Sequence, residues 1–267
     1  SNDGCAVARS NEAKALGIPM GAPAFKYREI FEKHQVARFS GNFELYSNIS
    51  RRITNILSDI TPRIEVYSID ESFLDVSALP IKNLAGWGLA LRARILREVG
   101  VPVSIGIAPT KTLAKLASEV AKTHHELGGV LELDEQNREH YMMTFPIQEI
   151  WGVGWRLAPR LKAEGISTAW HLAQMRPQRA QQLMGIRGRQ MVAELNGTTC
   201  FKLTRLRSVR KSIMRGRTFG EDTSEEDVIR AAITALASQA VFRLRSEGQA
   251  ARKAGLLLET NKHQPGY

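Results

Sequence analysis

Tyr67-Ser68-Ile69-Asp70-Glu71-Ser72-Phe73-Leu74-Asp75 sets two adjacent carboxylates between two short apolar runs. Ile64, Val66 and Ile69 precede the pair, and Phe73, Leu74 and Val76 follow it. The pattern from Arg63 to Val76 reads as two strands that meet at or near an Asp-Glu turn. Neighbouring carboxylates repel each other and resist desolvation, so a fold that holds them beside packed strands usually gains a cation or a proton there. Hard divalent ions such as Mg²⁺ take carboxylate oxygens together with substrate phosphates. Standing alone, such a pair more often marks a polar hairpin turn.

Working outward, apolar residues recur at helical spacing from Asn11 to Leu16 and from Tyr46 to Ile60, with Ile49, Ile53, Ile56 and Leu57 on one face of the second. Gly17 with Pro19 stops the first helix, and Pro62 stops the second. Beyond the acidic turn, Leu84 to Val99 reads as an amphipathic helix and Val101 to Ala108 as a strand. Lys111 to Lys122 reads as a helix opened by Pro109-Thr110, and Gly129 to Leu133 as a short strand. Mixed strands and helices imply an α/β or α+β layer. Lys111, Lys115 and Lys122 share one helical stripe, either a solvated basic face or ammonium groups aimed at phosphates. Asn11 and Lys14, three apart, can present a donor and a cation to one ligand.

After Pro146 the character changes. Gly152-Val153-Gly154, a helix over Arg156 to Glu164, then Gly165-Ile166 and another helix read as helix, Gly-rich hairpin, helix, with a weaker second version at Gly185-Ile186-Arg187-Gly188-Arg189. Backbone N–H groups exposed by a Gly turn attract phosphate, and Arg156, Arg160 and Lys162 stand beside it. The same glycines also suit a plain helix-to-helix turn. Residues 201–211 hold Lys202, Arg205, Arg207, Arg210 and Lys211 without an acid and read as a linker. Then come a strand (Ser212 to Phe219), a helix (Glu225 to Glu247) with Ser224 as N-cap, and a strand (Ala254 to Glu259).

The 267 residues carry a net charge of +10, which excludes an acidic protein. That charge is uneven. Residues 1–150 have 17 basic and 18 acidic residues, net −1; residues 151–200 have 7 and 2, net +5; residues 201–267 have 13 and 7, net +6. Such asymmetry pairs a near-neutral body with a part that binds polyanions. Cys5 and Cys200 lack metal or redox spacing, which fits a reducing compartment, with the cytoplasm as the expected location. No apolar run has the roughly 18 residues of a membrane span. His124 and His125 have no spaced thiol or carboxylate partner for zinc.

These motifs resemble the Y-family, or translesion, DNA polymerases. Ser68-Ile69-Asp70-Glu71 resembles their acidic signature, Ser104-Ile105-Gly106-Ile107-Ala108 with Lys111 to Ala117 the strand and helix that follow in the palm, Trp151-Gly152-Val153-Gly154 the thumb hairpin, and Arg210-Lys211-Ser212-Ile213 the entry to the little finger. Asn2 to Gly17 is most similar to the UmuC branch. The resemblance implies an α+β right-hand fold: palm and fingers in 1–145, a helix-hairpin-helix thumb in 146–204, a linker in 205–211 and a partial α/β little finger in 212–267. It implies error-prone, template-directed DNA synthesis past damaged bases in the SOS response, by two-metal nucleotidyl transfer with two Mg²⁺ ions. Asp70 and Glu71 are then the catalytic metal ligands. Lys122 and Lys14 face the incoming triphosphate, with Asn11 where many relatives have Tyr. Gly4, Cys5, Ala6 and Val7 form a small-residue floor under the nascent base pair, and Gly152, Gly154, Arg156, Arg210 and Lys211 hold DNA. Implied partners are primer-template DNA and a dNTP, with a processed UmuD dimer, a RecA filament and a sliding clamp for the UmuC branch.

The family's first strand, with a third metal-binding Asp and an aromatic gate against ribonucleotides, is expected before Ser1, and most of the little finger beyond Tyr267. These 267 residues alone are therefore expected to be catalytically crippled. Three alternatives stay open: a non-catalytic helix-hairpin-helix DNA-binding protein, a stand-alone polymerase IV-like member of the same family, and another palm-type enzyme such as a cyclase.

Overall fold

A computed structural model describes residues 4–204 and 210–260. Asn2, Asp3, the linker residues Arg205 and Arg207, and the last seven residues of the little-finger segment lie outside the described residues. The chain forms two compact units, Ser1–Phe43 with Ser208–Tyr267, and Glu44–Arg207.

In the first unit, helices α1 (Asn11–Ala15) and α2 (Arg28–Lys33) flank a turn that returns the chain to its start. Cys5 bridges Pro23, and the Ala6 N–H donates to the Ala22 carbonyl at 2.9 Å. Ile18, Ala22 and Phe31 form a small core there, with Ala6, Ala13 and Leu16 packed on it.

The second unit holds α3 (Phe43–Ile60), the antiparallel pair β1 (Ile64–Val66) and β2 (Ser72–Leu74), α4 (Leu84–Val99), β3 (Ile105–Ile107), α5 (Lys111–Thr123) and β4 (Val130–Glu132). The expected hairpin at the acid pair is present, with Ile64 opposite Leu74 and Val66 opposite Ser72. Strands β3 and β4 run parallel, Ile105 beside Val130. Strand β3 is shorter than Val101 to Ala108. Pro102 has no N–H to give a ladder, and the Val103 carbonyl accepts from Arg92 Nε at 2.9 Å instead. Ile56 and Leu57 of α3 pack on Leu91 and Ile95 of α4, joining both strand pairs to one apolar layer.

Helices α6 (Arg138–Thr144), α7 (Ala158–Ala163), α8 (Ala169–Ala173), α9 (Pro177–Met184) and α10 (Ile186–Leu195) follow. Leu161, Leu172 and Leu195 share a continuous core with Leu113 and Leu116 of α5, so the all-helical segment is packed onto the helix that follows the palm-like strand. The Arg179 guanidinium meets Glu164 with both carboxylate oxygens at 2.7 Å and holds that carboxyl below its ordinary range. That contribution is present above the ordinary carboxylate pKa and is lost as pH falls through the depressed one.

Three sequence readings are corrected. Only Gly185 breaks the chain at the second Gly-rich site. Gly188 lies inside α10, where a Cβ would come 2.5 Å from the Ala180 carbonyl oxygen. Helix α11 (Glu226–Ser246) starts one residue late and is not capped by Ser224; Thr223 Oγ1 accepts from the Glu225 N–H instead. Ser212 to Phe219 and Ala254 to Glu259 are not strands. A strand requires a paired edge and a face to bury, and α11 has no buried residue to offer one.

Gly106 in β3 lies directly on α5. A Cβ there would stand 2.0 Å from the Ala114 carbonyl oxygen and 2.3 Å from the Ser118 nitrogen. Backbone cannot yield as a flexible side chain does, so Gly106→Ala is expected to cost about 3 kcal/mol by forcing β3 off the helix. Urea unfolding measures it, and a loss below about 0.5 kcal/mol would contradict this packing.

Candidate active site

A cleft of about 560 Å³ in the second unit is lined by Asp70 and Glu71 from the hairpin, Ser104 to Ala108 around β3, and Lys115, Ser118, Glu119 and Lys122 from α5. Its apolar side is made by Ile53 and Leu57 of α3 with Trp87, Leu91 and Ile95 of α4.

The hairpin sets the direction of the acids. Tyr67 and Ser68 both donate their N–H groups to the Glu71 carbonyl at 3.0 Å, which closes the turn and leaves Asp70 at its exposed bend. Ser68 Oγ donates to Asp70 Oδ1 at 2.5 Å. Glu71 is half-buried and paired with the Lys115 ammonium. Helix α5 reaches this place because Thr110 caps it, accepting from the Leu113 N–H, and because its apolar face (Leu113, Leu116, Val120) is buried.

The strand edges add a second property. In the ladder, the Tyr67 N–H donates to the Glu71 carbonyl and the Asp75 N–H to the Arg63 carbonyl, so the backbone groups of Ser72 and Leu74 point the other way. In β3, Ile105 and Ile107 bond toward β4, so those of Gly106 also point away from their partner strand. Both outward edges line the cleft.

The lysine stripe divides. Lys122 lines the cleft, exposed and paired with Glu119 at 3.2 Å. Lys115 meets Glu71. Lys111 does not face a ligand at all: it forms an ion pair with Glu65, each side chain only 10% exposed, and Glu65 also accepts from the Thr204 N–H at 2.6 Å. Neither sequence reading of the stripe, a solvated basic face or ammonium groups aimed at phosphates, holds for this residue. Because Glu65 keeps the Thr204 amide, Lys111→Met is expected to cost about 3 kcal/mol in urea unfolding. A loss under about 1 kcal/mol would mean the pair is as weak as an exposed one.

The thumb-like hairpin lies in the same unit. Gly152 has φ +94°, a conformation that disfavours any side chain, and a Cβ there would meet the Met191 methyl at 2.9 Å. Gly154 is open, with no atom within 4 Å of a Cβ, and its carbonyl accepts from the Leu157 and Ala158 N–H groups. Trp155 and Arg156 thus form the turn before α7 rather than its first residues. Trp151 donates from Nε1 to the Tyr67 hydroxyl at 3.1 Å and packs edge-on against Tyr67 and Phe201, tying this hairpin to the acidic turn.

The remaining expected residues lie in the first unit. Cys5 and Ala6 are half-buried and Val7 exposed on the returning segment, and Lys14 Nζ donates to Asn11 Oδ1 at 3.3 Å, one helical turn joining the two. Arg210 is paired with Glu247 at 3.3 Å, and Lys211 is exposed.

Sequence reasoning missed Glu194, the carboxyl that accepts from the N–H groups of Thr112, Cys200 and Phe201 while fully buried. Its signal was an acid on the apolar face of a helix in a stretch holding one other acid. Tyr67, Trp151 and Phe201 as a cluster left no signal, because their contact spans over 130 residues of chain.

Asp70 and Glu71 supply the carboxylates at the turn, Glu71 through a side chain that Lys115 also pairs. Among the described residues no group of three or more His, Cys, Asp or Glu converges. Hard oxygens with coordination left over for phosphate and water fit a divalent ion of the Mg²⁺ kind. Among the described residues no helix is long and apolar enough to cross a membrane.

Residues 1–119 match the impB/mucB/samB family, and residues 210–267 match the C-terminal domain of that family. The chain is 36% identical to the UmuC protein of Salmonella typhimurium over 98% of its length, and 36% identical to the MucB protein of Escherichia coli over the same share. It is 29% identical to a DNA polymerase IV of Bacillus subtilis over 96%. The chain spans 63% of the length of the UmuC and MucB relatives. Among solved structures, a chimeric Y-family DNA polymerase built on Dbh matches at a TM-score of 0.73 and 25% identity, covering 91% of this chain and 70% of that one. DinB from Sulfolobus solfataricus matches at 0.58 and 26%, covering 69% and 53%.

Proposed function

The chain belongs to the impB/mucB/samB family of Y-family DNA polymerases, and from that membership we propose that the full-length protein carries out template-directed DNA synthesis past damaged bases. The observation that carries the reading is that Asp70, Glu71 and Lys122 line one cleft of the second unit. The higher identity to UmuC, ImpB, SamB and MucB than to polymerase IV relatives favours the UmuC branch.

In this reading Asp70 and Glu71 would hold two Mg²⁺ ions, which would supply activation of the primer 3′-hydroxyl and neutralisation of charge on the leaving pyrophosphate. The chain's own residues orient the reactants. Ser68 and the doubly bonded Glu71 carbonyl fix the acidic turn, and Lys115 fixes the Glu71 side chain. Lys122, exposed on the cleft wall, presents an ammonium to the triphosphate. By the family resemblance Lys14 supplies a cation, and Asn11 an amide donor, for phosphate. Cys5, Ala6 and Val7 supply small side chains under the nascent pair, which leave room for a damaged template base. Gly152, Gly154 and Arg156 receive the DNA backbone, with Arg210 and Lys211 adding charge. Residues 1–145 serve as palm and fingers, 146–204 as thumb, 205–211 as linker and 212–267 as little finger. The UmuC branch brings a processed UmuD dimer, a RecA filament and a sliding clamp as partners.

Primer extension by the full-length protein tests the reading. Incorporation of the complementary dNTP that requires Mg²⁺ and continues across an abasic template site is expected. Salt-dependent DNA binding with no incorporation would favour a non-catalytic DNA-binding protein.

A further inference from the structure

Trp155 stands at the tip of the thumb-like hairpin with 79% of its surface exposed. The Arg156 guanidinium lies 4.8 Å from the indole centroid, stacked on part of the ring. Gly154 beside it leaves its backbone open to approach, and from Ile150 to Ala163 there is no acid but three cations, Arg156, Arg160 and Lys162. An indole has 150–250 Å² to bury, about as much as any side chain, and leaving it in water forgoes that gain. Apart from Arg156, the ring is left to solvent: the core under α7 is made by Ala158 and Leu161. An aromatic plane next to a guanidinium is the combination that holds a nucleotide, the ring against its sugar or base and the cation on its phosphate.

We propose that Trp155 makes an apolar, stacking contact with one nucleoside of the DNA strand whose phosphate Arg156 holds. The hairpin then contributes more than backbone electrostatics: it adds an affinity that salt does not screen. This rests on the DNA-binding reading above and assigns a distinct ligand moiety to a side chain that reading leaves unused. Trp and Arg also anchor protein interfaces, but three cations with no acid from Ile150 to Ala163 favour a polyanion as the partner.

The test is fluorescence anisotropy of a fluorescein-labelled primer-template duplex with the native protein, Trp155→Ala, Trp155→Phe and Arg156→Ala from about 50 to 300 mM NaCl. Trp155→Ala is expected to weaken binding about tenfold at every salt concentration with the log–log slope unchanged, and Trp155→Phe to recover most of it. Arg156→Ala is expected to flatten the slope by about 0.9. In parallel, the fluorescence lost between native and Trp155→Phe protein is the Trp155 signal, and duplex is expected to quench it. This reading holds even if Trp155→Ala were to fold poorly. Native affinity with Trp155→Ala within twofold, or a Trp155 signal that duplex leaves unchanged, overturns the proposal and points to a protein-docking or idle residue. No salt-dependent binding by the native protein overturns the DNA-binding reading itself.

Discussion

Asp70→Ala is expected to abolish nucleotide addition by the full-length protein while leaving its primer-template affinity nearly unchanged. Asp70 lies at the exposed bend of the hairpin, where its carboxylate accepts from the Ser68 hydroxyl two residues away, so its removal takes little from the fold. The carboxylate carries its weight in charge. A metal ion stabilises the transition state by several kcal/mol and each 1.36 kcal/mol is a factor of ten, so the rate should fall by roughly a thousandfold or more. Asp70→Asn preserves shape and should fall nearly as far, because an amide ligates Mg²⁺ poorly. Single-nucleotide incorporation and anisotropy on the same preparations separate the effects. Lost DNA binding would make Asp70 structural, and retained incorporation would remove it from the site.

Glu194→Ala is expected to cost more stability than either Gly106→Ala or Lys111→Met. The side chain is fully buried at 0% exposure and accepts from the N–H groups of Thr112 at 3.0 Å, Cys200 at 2.6 Å and Phe201 at 2.9 Å. The Glu194 carbonyl meanwhile accepts from the hydroxyl of Thr110, the cap of α5. One residue of α10 thus secures both the start of α5 and the chain that leaves the thumb-like segment. Truncation takes the acceptor from the buried Thr112 amide and from the half-buried Cys200 and Phe201 amides, at about 1–3 kcal/mol for each group that water does not reach, so a loss of about 4 kcal/mol is expected. Glu194→Gln should recover part of it through its single oxygen. Urea unfolding measures both, and a loss below about 1.5 kcal/mol for Glu194→Ala would mean water replaces the carboxylate.

Local signals were legible where one residue type does one job. Asn83 accepts from the Gly86 N–H and Gly100 ends the helix, so the expected span Leu84 to Val99 and the observed α4 coincide. Thr110 starts α5 in the same way, and Pro62 ends α3. The hairpin at Asp70-Glu71 was legible from alternation of apolar and polar residues. Tertiary partners were not. Lys111, Lys115 and Lys122 look alike along a helix, and only the approach of Glu65 and Glu71 from β1 and the hairpin separates buried pair, acid partner and cleft cation. The segments Ser212 to Phe219 and Ala254 to Glu259 have strand-like composition, but composition supplies no hydrogen-bonded neighbour.

The claim on which the rest depends is that the acid pair holds divalent metal together with nucleotide. Mn²⁺ titration followed by electron paramagnetic resonance, with and without a dNTP, measures this on native protein and on the Asp70→Asn/Glu71→Gln double variant. Native protein is expected to bind Mn²⁺ more tightly when the dNTP is present, and the double variant to lose that gain. Equal, dNTP-enhanced Mn²⁺ binding by both proteins would contradict the assignment of Asp70 and Glu71.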